Sequence, residues 1–358
     1  MRQYKLRSAK DTNSQKKESF SREYYSRQVI MKELGTKGQK KLAESKVAVV
    51  GVGGLGTVSS LYMTLAGVGH LRLIDQDIVE LRNLHRQILY GTDDLDYPKA
   101  EVAAKRLAKL NPLVKAEPIS ENMHAGNAER LIDGVDCVVD GLDNMATRYL
   151  VNRACVKLKI PYVFGAAIGM EGNLSVFSPP ETPCLECVLP NLRDSELLKC
   201  DTRGVLGVTP GIIGAMQAAE AIKTVAGIGT TLRGKLMICD FGDMSFTTID
   251  IAKRVRCPAC EGTLLPELRE KLVWLCGQNT ANINPEKALK LDLAKVCETV
   301  QRLGFRVRVR SALALMFDYK GLEVSLFNGG RMLMKNVSSE ESALQAYREI
   351  VRTLGLGN

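Results

Sequence analysis

The feature that most constrains the fold of this chain is a glycine-rich turn between an apolar strand pattern and a helical pattern. Residues 47–50 are consecutive apolar residues that lead directly into Gly51-Val-Gly-Gly-Leu-Gly56. A helical pattern then runs to about residue 67, and a second strand pattern covers residues 71–75. This order predicts a βαβ unit whose turn lets phosphate groups approach the backbone N–H groups at the helix start. The candidate phosphate-binding residues are Gly51, Gly53, Gly54 and Gly56.

Strand and helix patterns continue to alternate beyond this unit. Apolar periodicity predicts helices over residues 98–110, 144–158 and 209–226, and strands over residues 135–140, 162–164, 173–177, 235–240 and 245–251. Strands separated by helices favour a parallel sheet, and the changed pattern after residue 171 favours added antiparallel strands. We therefore expect an α/β fold with a doubly wound, Rossmann-like, mostly parallel sheet, an antiparallel extension and a small C-terminal α+β domain.

Length and charge divide the chain into three predicted regions. The first 22 residues hold seven basic and two acidic residues with little apolar content, so we predict that residues 1–20 form a basic, disordered tail. Residues 21–263 are predicted as the nucleotide-binding domain, and residues 264–358 as a small domain to which the sequence assigns no role. A solvated tail explains the basic segment better than an arm for nucleic acid, so we expect no nucleic-acid partner.

The composition argues against membrane and secreted proteins. Hydrophobic residues make up 45% and charged residues 25% of the chain. No segment approaches the ~20 apolar residues that a bilayer span needs, and the basic N-terminal segment lacks the apolar core of a secretory signal. The ten cysteines then suggest a reducing compartment, where clustered thiols bind metals or act as catalytic groups. We predict a cytoplasmic location and no membrane partner.

Four cysteines form two C-x-x-C pairs that lie far apart in the sequence. The pairs are Cys184 with Cys187 and Cys257 with Cys260. Four thiolates are typical of a closed tetrahedral zinc site, which is structural because no position is left for water. A redox motif is the alternative for each pair, but two C-x-x-C redox motifs do not usually occur in one chain. The sequence therefore predicts a structural Zn²⁺ ion bound by these four residues.

Cys200 has a different setting from the paired cysteines. Lys199 and Arg203 lie beside it on a polar segment. Nearby cations favour the thiolate form of cysteine, so Cys200 is a candidate nucleophile that could accept an acyl group. A cysteine without any catalytic role is the alternative interpretation.

Polar residues after the second strand bear on which nucleotide the site favours. Asp75 lies 19 residues after Gly56, at a strand end where a carboxylate can accept hydrogen bonds from ribose hydroxyls. Taken alone, this pattern favours an NAD enzyme. Downstream polar groups change the balance, since polyphosphate chemistry needs positive charge that neutralises a developing anion. These groups are Asn83, Arg86 and Lys99, which follow the acidic strand end that carries Asp75 and Asp77.

Asp143 and Asn144 directly follow the strand predicted over residues 135–140. At the carboxyl edge of the sheet, Asp143 could hold Mg²⁺ on the triphosphate of ATP, with a helix N-cap as its alternative role. Together with Asn83, Arg86 and Lys99, this carboxylate suits the binding of a Mg²⁺-bound polyphosphate.

Together these segments resemble the ubiquitin-activating-enzyme-like superfamily in its prokaryotic form, the molybdopterin-synthase and thiamine sulfur-carrier adenylyltransferases. The resemblance covers about residues 20–262 and rests on Gly51-Val-Gly-Gly-Leu-Gly56, Asn83-Leu-His-Arg-Gln87, Pro98-Lys99, Asp143-Asn144 and Tyr25-Ser-Arg-Gln28. It implies that Asp75 binds ribose, that Asn83, Arg86 and Lys99 bind phosphates, and that Asp143 binds magnesium. It also implies a homodimer in which Arg27 reaches the ATP site of the partner subunit.

The activity that this resemblance implies is ATP-dependent adenylation of the C-terminal glycine carboxylate of a small ubiquitin-like carrier protein ending in Gly-Gly, with release of pyrophosphate. Cys200 matches a cysteine that carries an acyl step in the thiamine-type relatives, whereas the molybdopterin-type relatives do not require it. Residues 264–358 do not resemble a rhodanese-like module, so any sulfur would come from a separate donor protein.

Other function classes remain open at the level of sequence. They are a tRNA-modifying, ATP-dependent dehydratase of the same superfamily, an NAD-dependent oxidoreductase and a non-catalytic binding module. The sequence also leaves the pathway open among molybdenum cofactor synthesis, thiamine synthesis, tRNA thiolation and protein conjugation.

Overall fold

The computed structural model of the chain describes residues 13–194, 204–262, 272–275, 279–285 and 289–356. The helices are α1 Asn13–Tyr24, α2 Ser26–Val29, α3 Gly35–Glu44, α4 Gly54–Ala66, α5 Lys99–Leu110, α6 Ala128–Ile132, α7 Met145–Leu158, α8 Leu185–Val188, α9 Val208–Ala226, α10 Leu293–Arg302 and α11 Glu340–Leu354. The strands are β1 Lys46–Val50, β2 His70–Ile74, β3 Lys115–Ile119, β4 Cys137–Asp140, β5 Tyr162–Ile168, β6 Glu171–Phe177, β7 Lys235–Asp240, β8 Ser245–Asp250, β9 Leu272–Leu275, β10 Thr280–Ile283, β11 Val307–Arg310, β12 Ala314–Tyr319, β13 Leu322–Phe327 and β14 Met332–Lys335. None of these helices combines the length and the apolar character that crossing a membrane requires.

Strand β1 explains why the large sheet lies between two layers of helices. Each of its residues after Lys46 is buried. Val47 and Val49 pack in a core with α3, α4, α5 and α9, whereas Ala48 and Val50 pack in a second core with α6 and α7. A strand that is buried on both faces reads as a continuous apolar run, and it requires helices on both sides of the sheet.

The eight strands of this sheet run in the order β3-β2-β1-β4-β5-β6-β7-β8. Strands β1 to β5 pair in parallel, and β6, β7 and β8 are added as antiparallel strands. The predicted α/β fold with an antiparallel extension is thereby confirmed. The strand order reverses at β1, which has β2 on one side and β4 on the other. In open α/β sheets, ligands bind in the crevice at such a switch point, beyond the carboxyl ends of the strands.

The helices predicted over residues 98–110, 144–158 and 209–226 are present as α5, α7 and α9, and each ends at the predicted residue. Strand β3 was not predicted from the sequence. It contains Pro118 and lies at the edge of the sheet, where a missing N–H is tolerated and the pattern need not be apolar. An edge strand of this kind lacks the periodicity on which sequence prediction depends.

Helix α1 corrects the prediction that residues 1–20 form a disordered tail. It begins at Asn13, so residues 13–20 are helical, while residues 1–12 lie outside the described residues. The rings of Phe20 and Tyr24 stack with their centroids 5.2 Å apart, and the Tyr24 hydroxyl donates a hydrogen bond to the carbonyl oxygen of Leu110 at 3.1 Å. These contacts attach the end of α1 to the large domain, which composition alone did not reveal.

The second sheet is antiparallel throughout, in the order β11-β12-β13-β14-β10-β9. Helices α10 and α11 pack on one of its faces, around Val300, Leu315 and Ile350. We call strands β9 to β14 with α10 and α11 the C-terminal domain. It is a small α+β unit, as the sequence predicted, and its other face packs against the large domain through Ile78.

Candidate nucleotide-binding site and zinc centre

A cleft of about 2910 Å³ lies at the carboxyl edge of the large sheet, where the strand order reverses. It is lined by the glycine-rich turn, the end of β2, the segment around Arg86, the start of α5 and the turn after β4. The structure therefore brings together the predicted nucleotide-site residues that come from separate parts of the sequence. Of the predicted nucleotide-site residues that the structure describes, Gly56 and Arg27 are the two that do not line this cleft.

The glycines of the turn serve two different purposes. Gly51 has a φ of +87°, and a Cβ on it would lie 2.5 Å from the carbonyl oxygen of Gly141. A Cβ on Gly56 would lie 1.9 Å from the carbonyl oxygen of Gly51, so both positions exclude a side chain on packing grounds. Gly53 has ordinary room, since a Cβ on it would lie 3.6 Å from the nearest atom, Nε2 of Gln87. Packing within the chain therefore leaves open space at Gly53, which lines the cleft.

Helix α4 begins directly after Gly53, and no side chain caps its first turn. The first N–H groups of a helix have no partner within the helix and carry a partial positive charge. A helix start that is reached through glycines is therefore an anion-binding position. The phosphates of a nucleotide fit this position by charge and by the room at Gly53.

A pair of glycine substitutions separates the two purposes. We expect Gly53→Ala to change the free energy of unfolding by no more than about 1 kcal/mol and to weaken ATP binding at least ~10-fold, because the methyl group occupies the phosphate approach. Gly56→Ala should instead fail to give a stable fold, because its Cβ overlaps the Gly51 carbonyl. Denaturant unfolding and titration calorimetry measure the two effects. Normal ATP affinity in folded Gly53→Ala would contradict the phosphate assignment.

Asp75 is held by the backbone around it. Its carboxylate accepts hydrogen bonds from the N–H groups of Val52 and Asp77, both at 2.7 Å. Burial raises the pKa of Asp75 to about 6, against the opposing effect of the Lys99 charge. Each carboxylate oxygen still has a lone pair. Asp75 can therefore accept a ribose hydroxyl at neutral pH while it links the glycine turn to the end of β2.

Lys99 is a buried cation among carboxylates. Its Nζ lies 3.0 Å from the Asp77 carboxylate, and its backbone N–H donates to the Asp77 carbonyl oxygen at 2.9 Å. Burial acts to lower the pKa of Lys99, but Asp77, Asp75 and Asp143 outweigh it and raise the pKa. The side chain is only 6% exposed. Lys99 is thus a permanently charged ammonium group that lines the cleft.

Asn83 and Arg86 form a second polar group in the cleft. The Arg86 guanidinium donates to Asn83 Oδ1 at 2.9 Å and to the carbonyl oxygen of Arg82 at 3.1 Å. These two bonds orient the guanidinium while leaving other N–H donors for a ligand. The adjacent Gln87 also lines the cleft and is buried, and its Oε1 has no hydrogen-bond partner within the described residues. The sequence places Gln87 at the end of the Asn83-Leu-His-Arg-Gln87 motif but indicates no role for it.

Asp143 does not cap α7, which was the alternative role that the sequence allowed. Asn144 is the N-cap, and its side chain accepts a hydrogen bond from the Thr147 N–H at 2.9 Å. Asp143 itself is exposed in the cleft, with one oxygen 3.2 Å from the Asn144 amide nitrogen. An exposed carboxylate beside a phosphate position fits the oxygen ligands that Mg²⁺ prefers.

A buried ion pair that sequence reasoning missed holds the turn that carries Asp143. Arg148 Nε donates to Asp140 Oδ2 at 3.0 Å, and the Tyr162 hydroxyl donates to the same oxygen at 2.6 Å. Across the turn, the Leu142 N–H donates to Asp140 and the Arg148 guanidinium donates to the Leu142 carbonyl oxygen. The sequence did contain a signal for this ion pair. Asp140 ends an apolar strand, and Arg148 lies in the helix that follows it.

Removal of the arginine tests the energetic role of this pair. We expect Arg148→Met to lower the free energy of unfolding by about 3–5 kcal/mol, because it leaves the Asp140 carboxylate buried without its cation. Lys235→Met is the matched control, since its partner Asp250 is exposed and surface pairs contribute at most about 1 kcal/mol. Urea unfolding followed by circular dichroism measures both. Equal effects of the two substitutions would argue against a structural role for the buried pair.

Arg27 lies between two anchored neighbours. The Tyr25 hydroxyl accepts a hydrogen bond from Asn111 at 2.6 Å, and Gln28 donates to the carbonyl oxygen of Ala66 at 2.8 Å. Arg27 is exposed and lies outside the cleft lining. Within a single chain, Arg27 therefore does not lie at the nucleotide site.

The four paired cysteines converge as the sequence predicted. Their Sγ atoms all lie within 4.8 Å of one another. The distance is 3.8 Å between the Sγ atoms of Cys184 and Cys187 and 3.7 Å for both Cys184 with Cys257 and Cys187 with Cys260. Zinc at ~2.3 Å from each thiolate of a regular tetrahedron gives sulfur–sulfur distances of about 3.8 Å. The cluster fits zinc, and it links α8 and its N-cap residue to the chain after β8.

Metal analysis tests this centre. We expect one zinc ion per chain by elemental analysis, and Cys257→Ser should lose it and unfold at a lower temperature, because three thiolates bind zinc less tightly than four. Cys297→Ser is the control, since this buried cysteine lies in α10, away from the cluster. Full zinc content in Cys257→Ser would rule out the four-cysteine site. Cys200, the candidate nucleophile, lies outside the described residues.

Comparison with known proteins agrees with this geometry. The model of the ThiF family matches residues 25–259. The chain belongs to the ThiF family. It is 42% identical over 242 residues to a sulfur carrier protein adenylyltransferase of Thermus thermophilus, a match that covers 66% of this chain and 89% of the relative.

Two further comparisons concern a longer relative of this ThiF-family chain and a solved structure with a similar fold. It is 40% identical over 299 residues to the adenylyltransferase and sulfurtransferase MOCS3 of Drosophila persimilis, which covers 83% of this chain and 65% of that protein. The crystal structure of E. coli MccB with succinimide aligns with a TM-score of 0.60 at 24% identity, over 66% of this chain and 74% of MccB. The MccB likeness concerns the fold alone.

Proposed function

We propose that this chain uses ATP to adenylate the C-terminal glycine carboxylate of a small ubiquitin-like carrier protein and releases pyrophosphate. The observation that carries the proposal is that Lys99, Arg86 and Asp143 line the same cleft as the uncapped start of α4, in a chain of the ThiF family. Its 42% identity to a sulfur carrier protein adenylyltransferase supports the same reaction. The pathway that the carrier serves is left open.

Each group has a chemical task in this reaction. The glycine turn and the α4 N-terminus bind the phosphates, Asp75 accepts the ribose hydroxyls, and Asn83 with Gln87 adds polar contacts. Lys99 and Arg86 neutralise the charge that develops as the carrier carboxylate attacks the α-phosphate and pyrophosphate leaves. Asp143 would hold Mg²⁺, which supplies further charge neutralisation on the triphosphate. No general base is needed, because the attacking carboxylate is ionised at neutral pH.

The cations also explain why ATP suits the cleft better than NAD. A hydride-transfer site needs a dry slot for nicotinamide and an acid or base for its substrate. The cleft is instead lined by the Lys99 ammonium group, the Arg86 guanidinium group and the exposed Asp143 carboxylate, together with the glycine-rich turn. That set suits a leaving pyrophosphate.

The protein partners of the reaction are part of the proposal. A homodimer would let the exposed Arg27 enter the cleft of the partner subunit, which its absence from its own cleft supports. The sheet also presents exposed apolar side chains at Ile238, Phe246 and Ile249, a kind of surface that protein partners cover. Sulfur for the activated carrier would come from a separate donor protein. A four-thiolate zinc site suits a reducing compartment such as the cytoplasm.

ATP–pyrophosphate exchange with candidate carriers ending in Gly-Gly tests the function. We expect exchange with one carrier, its loss when the terminal glycine is removed, and at least a ~100-fold reduction in Asp143→Ala. Asp93→Ala is the control, since this exposed aspartate lies outside the cleft lining and away from β7 and β8. Zinc content and circular dichroism should stay unchanged in both variants.

The same experiment distinguishes the alternatives. No exchange with any carrier, together with ATP turnover that depends on tRNA, would favour the dehydratase class. Hydride transfer from a nicotinamide cofactor would favour the oxidoreductase class. Full activity in Asp143→Ala would remove this residue from the reaction.

A further inference from the structure

The C-terminal domain packs beside the nucleotide cleft. One face of its sheet buries Met316, Phe327 and Leu333 against Ile78, with Tyr97 at the margin. Ile78 follows the end of β2, and Tyr97 precedes α5, so the contact falls on the two segments that lead to Asp75 and Lys99. The domain therefore rests on the same part of the fold that builds the nucleotide site.

Hydrogen bonds attach both sides of this contact. The Glu101 carboxylate, in the first turn of α5, accepts hydrogen bonds from the N–H groups of Ala312 and Leu313 at 3.4 and 3.2 Å. Lys335 at the end of β14 forms an ion pair with Glu80 at 3.0 Å. An apolar centre with a polar rim is the usual organisation of a specific protein interface.

Arg331 crosses from the C-terminal domain to the end of β2. Its guanidinium donates to the backbone carbonyl oxygen of Gln76 and, at 3.2 Å, to Asn282 Oδ1. It lies 3.6 Å from the ring centroid of Phe327, and the residue is only 5% exposed. The amide of Asn282 in turn donates to Gln76 Oε1 at 3.1 Å. The C-terminal domain thus holds Gln76 by its backbone and by its side chain.

Gln76 is the residue between the two carboxylates of the site. The Asp77 N–H donates to Asp75, and the Asp77 carbonyl oxygen accepts from the Lys99 N–H. The position of this turn therefore sets both the ribose acceptor and the buried ammonium group. Burial lowers the pKa of Arg331 to about 10, against the opposing effect of Asp77 and Asp75. The guanidinium is still charged at neutral pH.

Two buried polar atoms on this side of the cleft have no hydrogen-bond partner among the described residues. They are Arg331 Nε and Ser120 Oγ, and both residues line the cleft. Phosphates at the glycine turn and ribose at Asp75 direct the base of a nucleotide toward β3, which Ser120 follows. A purine ring offers nitrogen acceptors and an exocyclic donor that unpartnered groups of this kind can bind.

We propose that the C-terminal domain completes the base end of the nucleotide site, with Arg331 as the positioning residue that holds the turn of residues 75–77 and, with Ser120, faces the base. The inference rests on the proposed use of ATP and goes beyond it, since it gives the C-terminal domain a task in nucleotide binding. Nucleotide binding and the docking of this domain are then coupled, so each strengthens the other.

Calorimetric titration of the full-length chain with AMP, without carrier or magnesium, tests this directly. We expect Arg331→Met to weaken AMP binding about 10-fold or more, because it removes charged hydrogen bonds to the turn and keeps most of the side-chain volume. In the exchange assay the same variant should raise KM for ATP by a similar factor and change kcat less than about threefold. Arg308→Met should match the wild type, since Arg308 pairs with Asp318 and Glu323 inside the C-terminal domain and lies outside the cleft lining.

Hydrogen–deuterium exchange on the unaltered chain keeps the test independent of how well the variant folds. We expect AMP to slow exchange in peptides covering residues 328–335 and 312–314, and to leave the peptide covering residues 343–354 unchanged. Slowing confined to the large domain would overturn the inference. A folded Arg331→Met chain that binds AMP with wild-type affinity would overturn it as well.

The outcomes separate this inference from the proposed function. AMP binding that depends on Arg331, without exchange in the presence of any carrier, would support the role of the C-terminal domain and reject the adenylation of a carrier. Exchange with a carrier but an unchanged KM for ATP in Arg331→Met would do the opposite. A wild-type chain that binds neither AMP nor ATP would overturn both.

Discussion

The site depends on the close approach of two backbone turns at the carboxyl ends of β1 and β4. A Cβ on Gly141 would lie 1.9 Å from the carbonyl oxygen of Gly51, and a Cβ on Gly56 would lie equally close to the same atom. The Gly141 N–H donates to the Val50 carbonyl oxygen at 2.7 Å, so the two turns are bonded as well as packed. Because no side chain separates them, the glycine-rich turn and the turn that carries Asp143 open into one cleft.

Charge pairing makes such a cleft stable. Burial of a charge is costly unless an opposite charge accompanies it, and the chain buries Lys99 among carboxylates and Arg148 against Asp140. The two pairs serve different ends. Arg148 holds the turn after β4 through Asp140 and the carbonyl oxygen of Leu142, whereas Lys99 holds the segment after β2 through Asp77. Both side chains line the cleft. A preorganised cation in a partly dry site stabilises a developing anion more than the same cation in water.

Much of this could be predicted from the sequence. Apolar periodicity predicted the helices α5, α7 and α9, and the spacing of the paired cysteines predicted their cluster. Strand β3 was not predicted, because its edge position removes the need for an apolar pattern. The helical part of residues 1–20 was not predicted either, because the hydrogen bond that anchors it, from Tyr24 to Leu110, joins residues far apart in the chain. The contact of Arg331 with Gln76 was not predicted for the same reason, since nothing in the local sequence of Arg331 indicates that Gln76 lies nearby.

The sequence by itself determined the ThiF-family frame, through the glycine turn, the cations that follow it and the two C-x-x-C pairs, because these signals are local and depend on residue type and spacing. Only the tertiary structure decided which side chains are buried, paired or exposed. It assigned the α7 cap to Asn144 and left Asp143 exposed, it kept Arg27 out of its own cleft, and it set the C-terminal domain against the turn after β2. These outcomes depend on contacts between segments up to 255 residues apart, which no local pattern records.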